Sequence, residues 1–173
     1  MNTNAFRNFQ YNINKVESLF ENNSSYTLML IYANIITVFE VYLQEAFVDL
    51  LKSDDKLLKK LTESSKYKNS KITLNKALKI DMNKYLIGMT KNLVFHNLAD
   101  IEPLYKEVLG VNIRYTDSIL KSIETRHHII HRNGYTKDGE KINMSLNLAK
   151  ETLITFKNLV GDIENQILQK YVQ

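Results

Sequence analysis

Between Tyr26 and Leu51 apolar side chains return every three or four residues, and neither glycine nor proline interrupts them. Leu28, Tyr32, Ile35, Phe39, Leu43, Ala46 and Leu50 fall on one face of a helix about 40 Å long at the usual rise of 1.5 Å per residue. A helix of that length is stable in water only when other elements cover its apolar face, which makes it the expected centre of a helical bundle. The whole chain holds five glycines and one proline. That is too few for the turns of a sandwich or barrel, so the fold class expected is all-α, with two long helices and several shorter ones. At 173 residues, 44% of them hydrophobic and 24% charged, the chain is sized for a single helical domain over residues 1–173.

The same stretch bears on location. Its most apolar part, Tyr26 to Phe39, is short for a bilayer and is followed by Glu40, Glu45 and Asp49, so it reads as a buried helix and not as a membrane span. The N-terminal MNTNAFRNF lacks the basic-then-apolar pattern of a signal peptide. The absence of cysteine removes disulfides, thiolate zinc sites and a cysteine nucleophile, and a reducing cytoplasm is the default expectation. The net charge of +4 permits an acidic partner such as RNA without demanding one.

Other elements follow from the same periodicity. Phe6, Phe9, Ile13, Val16 and Phe20 mark a first helix ending near ENNSS. Residues 54–80 carry Lys56, Lys59, Lys60, Lys66, Lys68, Lys71, Lys76 and Lys79, with SSKYKNSK as a loop between two short helices. A solvated lysine face is the plain account of that stretch, and a surface that tracks phosphates is the alternative. A helix is expected over Met82 to Phe95, and Pro103 suits the first turn of a short one that Gly110 ends. Thr116 or Asp117 caps the next, which runs to Gly134. Lys137-Asp138-Gly139 makes a tight turn between two short extended arms, and Ala149, Leu153, Phe156, Val160, Ile163, Ile167 and Tyr171 mark a long closing helix.

Chemistry concentrates in RHHIIHRNG, where three of the four histidines lie within five residues. On a helical wheel Ile119, Ile123, Arg126 and Ile130 fall within about 60° of one another, which puts Arg126 inside the helix's own apolar stripe. A permanent cation there needs an anion, and Glu40, beside the apolar face of the central helix, is the candidate structural partner. His127 and His131 line one flank with Leu120, while His128 and Arg132 point to the opposite, solvated side. Arg126 and His131 are about 140° apart, so one straight helix does not bring them together. Either the helix distorts near Asn133-Gly134, or a second copy of the chain completes the site.

Plainer accounts exist for each group. His127 and His131 also suit a helix C-terminus, whose dipole favours positive charge. A metal site on that pair lacks an H-E-x-x-H pattern, a cysteine and a third ligand near in sequence. His96 reads as a core or loop histidine. No phosphate-binding glycine loop, dinucleotide turn or nucleophile elbow is present, and no cofactor is implied.

Arg126 followed by four residues and then His131, with the polar His127 directly after the arginine, resembles the R-x4-6-H signature of the HEPN superfamily. The closing INMSLNLAKETLITFKNLVGDIE, the preceding HNLADIEPLYKEVLG and the glutamate-bearing VFEVYLQEAFVDLL look like its RiboL-PSP-HEPN branch. The resemblance implies a helical bundle that dimerises with its signature helices face to face. It also implies a metal-independent endoribonuclease, often a toxin or phage-defence effector, with an antitoxin or associated defence protein as a further partner. Members silenced by nucleotidyl modification carry a tyrosine two residues after the motif histidine. Asn133 stands there, so modification at that position is excluded, which argues against a nucleotidyltransferase antitoxin as the partner.

The expected chemistry is attack of an RNA 2′-OH on the adjacent phosphodiester. His131 serves as base and acid, Arg126 stabilises the charge on phosphorus, His127 and Asn133 orient the scissile group, and Arg132 and Lys121 hold flanking phosphates. The alternative is a non-catalytic RNA-binding or antitoxin-like regulatory subunit in which Arg126 is a structural ion pair.

Overall fold

The computed structural model describes residues 2–21 and 23–171. The helices in chain order are α1 (Asn4–Glu17), α2 (Ser25–Ser53), α3 (Asp55–Glu63), α4 (Leu74–Lys79), α5 (Met82–Lys91), α6 (Leu98–Leu104), α7 (Asp117–His131) and α8 (Leu146–Tyr171), with a π-helical turn at Tyr105–Leu109. The protein is all-α. Among the described residues the nearest thing to a strand is one antiparallel bridge, Tyr135 with Lys141, where two extended arms were expected. Gly139, at φ 82°, supplies the left-handed residue of the turn between them.

The chain forms two compact units, residues 1–42 with 114–173, and residues 43–113. In the first, α1 buries Phe9, Ile13 and Val16, and α8 buries Leu153, Phe156, Val160 and Ile163. Phe39 of α2 meets Phe156 with ring centroids 4.9 Å apart, and Phe9 meets Tyr42 nearly edge-on at 5.7 Å. One carboxylate lies inside this core. Glu164, 2% exposed, accepts from the Thr3 backbone N–H at 2.8 Å, the Thr3 hydroxyl at 2.9 Å and the Tyr42 hydroxyl at 3.2 Å. Thr3 also caps α1 through Phe6 N–H, so one residue starts that helix and ties it to α8.

Within residues 43–113, Phe47 packs against Tyr105 and Phe95, with centroids 5.1 and 6.4 Å away. The buried Tyr105 hydroxyl donates to the Leu43 carbonyl, and burial pushes its pKa well above the ordinary tyrosine value. α3 buries Leu57, Leu58 and Leu61 and lies against the π-helical turn.

Two helix ends differ from expectation. α5 stops at Lys91, where the Asn92 cap N–H turns back to Met89 and Thr90 carbonyls, so Leu93 to Phe95 lie outside the helix. Pro103 is not in the first turn of a helix but inside α6 near its end. Its missing N–H breaks the α pattern from within, and the chain continues as the wider π turn before Gly110, at φ 64°, ends it. α2 is long and apolar enough by composition to cross a membrane, and 61% of its most apolar window is buried inside the protein.

Candidate functional site

α7 carries the candidate functional side chains and belongs wholly to the unit of residues 1–42 and 114–173. Its C-terminal end is held by three features. Gly134 N–H returns to the His128 carbonyl at 3.2 Å, Asn133 and Gly134 both take positive φ, 51° and 81°, and Ile142 N–H bonds the Gly134 carbonyl at 2.8 Å. Gly134 is also confined: a Cβ there would stand 3.0 Å from Met29 Sδ of α2. Just past the last turn of α7 a residue with no side chain thus lies close to α2, one constraint on the azimuth of everything just before it.

With that azimuth, Arg126 lies against α2 with 16% of its side chain exposed, and its Nη2 stands 3.9 Å from Glu40 Oε2. This is a long ion pair, and Arg126 Nε is buried without a hydrogen-bond partner. His127 and His131 stand together on the outer face, both exposed, with ring centroids 4.6 Å apart. Leu120 and Ile130 are also exposed there, at 42% and 49%. Lys121 is exposed, as is Asn133, and Lys137 Nζ lies 3.7 Å from Glu124.

Two sequence expectations are corrected. His128 does not face solvent: it is 8% exposed, with Nε2 unpartnered by any hydrogen bond and 3.9 Å from Glu124 Oε1, an ion pair only when the imidazole is charged. Arg132 is likewise half-buried, with Nη1 shielded and unpartnered. The apolar stripe is rotated accordingly, since Ile119 and Ile129 are buried while Ile130 stands out. Helical spacing gives the angles between side chains correctly but not which way the set faces. Contacts outside the helix decide that, among them Gly134 and Arg126 against α2, and a wheel cannot see them.

The His127 pKa lies below the ordinary 6.5, lowered first by desolvation against its neighbours and then by the positive fields of His131, Arg132, His128 and Arg126. His127 is therefore less readily protonated than an ordinary imidazole. Among the described residues no group of three or more His, Cys, Asp or Glu side chains is arranged to hold a metal ion. His96 is half-buried in the turn between α5 and α6, in the other unit.

The arrangement brings Arg126 to Glu40 and His127 to His131. It offers a paired imidazole surface, a partly shielded guanidinium with an unused N–H, and one exposed apolar residue, Ile130, at the same helix end. No family model matches the chain, and no curated protein or solved structure matches it.

Proposed function

We propose that the chain is a metal-independent endoribonuclease of HEPN type, acting as a homodimer, and serves as a toxin or phage-defence effector. The observation that carries this is the exposed His127–His131 pair, 4.6 Å between centroids, on the helix that also holds Arg126. Leu120 and Ile130 give the same face an apolar component suited to a second copy of α7. Facing helices related by a two-fold axis would surround one phosphodiester with imidazoles from both protomers.

In the cleavage step the 2′-OH loses its proton to one His131 imidazole and attacks phosphorus, while protonated His131 of the second protomer gives a proton to the departing 5′ oxygen. The products are a 2′,3′-cyclic phosphate and a 5′-hydroxyl. Arg126 supplies positive charge to the phosphorane oxygens. With its pKa lowered, His127 is suited to orient the scissile group by hydrogen bonding. Arg132 at the C-terminal end of α7 and Lys121 near its start contribute charge for the flanking phosphates. Cleavage of RNA in EDTA, abolished by His131→Ala and by a 2′-deoxy residue at the scissile position, tests the mechanism. Dependence on a divalent ion, or cutting by the alanine variant, overturns it.

One observation favours a second reading. Arg126 already faces a carboxylate, Glu40, and both side chains are largely shielded. A non-catalytic RNA-binding or antitoxin-like subunit would need the pair only for packing. Under that reading Arg126→Ala costs stability and no RNA is ever cut.

A further inference from the structure

Residues 43–113 contain a cavity of their own, about 310 Å³, bounded by the end of α3, the 64–73 loop and α5. Its floor is apolar and polarisable: Met82, Leu86 and Met89 on α5, with the Tyr67 and Tyr85 rings beside them. Its rim is cationic, with Lys68 and Lys71 both exposed. Lys76 adds a third charge, since its Nζ lies 4.3 Å from the Tyr85 ring centroid and 3.2 Å from the Tyr85 hydroxyl. No lining residue is acidic.

This division of character selects an occupant. Thioether and phenol surfaces suit a flat aromatic ring, which gains sulfur–aromatic and ring contacts that an alkyl chain does not make. Tyr67 and Ser70, both hydroxyl-bearing, line the same space and match a ring with polar edges. Half-buried, Tyr67 has a raised pKa and stays a protonated donor. Lysines on the rim with no carboxylate among the lining residues suit an anionic group attached to that ring. The volume lies at the small end of ligand pockets, which fits one such unit and not a stretch of polymer.

We propose that this cavity binds a single nucleotide, its base against Met82, Met89 and the two tyrosines and its phosphate on Lys68 and Lys71. The nucleotide is either a free mononucleotide or one unsheltered residue of a single strand. The site is independent of the α7 chemistry, so either assignment can fail alone.

Calorimetric titration of the full chain carrying His131→Ala, which keeps RNA probes intact, tests it. The probes are AMP, GMP, CMP, UMP, a short single-stranded oligoribonucleotide, inorganic phosphate and decanoate. At least one mononucleotide should bind with one site per chain, and Lys68→Gln with Lys71→Gln should weaken it tenfold or more. Ser70→Trp, which fills the cavity from an exposed loop, should abolish binding with an unchanged circular-dichroism melt. Oligonucleotide binding that weakens in parallel identifies the strand as the source, and binding of mononucleotides alone identifies the free ligand. The proposal is overturned if no mononucleotide binds at millimolar concentration, if phosphate alone binds as tightly, if decanoate is preferred, or if both lysine and tryptophan variants bind as before. RNA cleavage is measured separately on the chain with His131 intact, so its loss or presence does not enter this result.

Discussion

Two charged groups are withdrawn from water in the unit of residues 1–42 and 114–173, and they are treated in opposite ways. Glu164 is almost wholly buried and receives three hydrogen bonds from two residues. Arg126 is mostly shielded, faces its carboxylate at 3.9 Å and leaves Nε unused, while His128 and Arg132 nearby also keep a buried nitrogen without a partner. A polar group saturated by its own chain has nothing left to offer a ligand. One left incompletely paired costs stability and is a candidate for use. The contrast is between a carboxylate that serves as a fastening and a helix end that keeps unused polar groups, the premise on which the proposed site rests.

The largest expected effect tests the second half of that contrast. His131→Ala should lower RNA cleavage by about 10²–10⁴-fold, the usual range for a proton-transfer group, with the melting temperature nearly unchanged because the ring is exposed. Cleavage kinetics and a thermal melt on the same preparation check it; a large loss of stability instead would make His131 a packing residue.

Glu164→Ala tests the first half. Removing the acceptor takes three hydrogen bonds from Thr3 and Tyr42 and leaves a cavity, so a loss of about 3 kcal/mol is expected from urea unfolding. Glu164→Gln keeps one acceptor oxygen and should lose less. Equal stability of Glu164→Ala and the parent chain would remove the fastening role.

Smaller, about 1–2 kcal/mol, is the expected cost of Gly134→Ala, where a side chain meets both an unfavourable φ of 81° and Met29 Sδ. If that contact sets how α7 faces, cleavage should fall by more than the small stability loss alone accounts for. Arg126→Ala should cost a similar 1–2 kcal/mol through Glu40, since both partners keep some contact with water. The catalytic proposal requires a far greater loss of cleavage than of stability in this variant, and the structural one requires the reverse.

The smallest effect concerns His127. Its folded pKa is below the ordinary 6.5, so the unfolded chain takes up a proton more readily. Its contribution to stability is whole above about pH 6.5 and is lost as pH falls through the lowered value. Melting temperature measured from pH 7.5 to 5 should therefore fall less steeply in His127→Gln than in the parent chain.

How much of this was legible beforehand depends on whether the cause is local. The extent of α2 followed from the spacing of Leu28 through Leu50, and α8 from that of Ala149 through Tyr171, because a helix buries what its period aligns. The early end of α5 was not legible, since Val94 and Phe95 continue an apolar pattern that the chain does not continue as helix. Pro103 was misplaced for a related reason. Proline is commonest in a first turn, and only the surrounding packing allows one inside α6 with a π turn to follow.

The order of residues along α7 settled that His127 and His131 share a flank and that Arg126 lies well away from His131, because helical geometry is a property of the backbone alone. Which flank meets water was decided by tertiary contacts. Gly134 against Met29 and Arg126 against Glu40 turn His128 and Arg132 inward and leave His127, His131 and Ile130 outside. Relative angles come from bond geometry within a helix, whereas absolute orientation comes from what the helix leans on. That support is supplied by residues about a hundred positions away in the chain, out of reach of any local pattern.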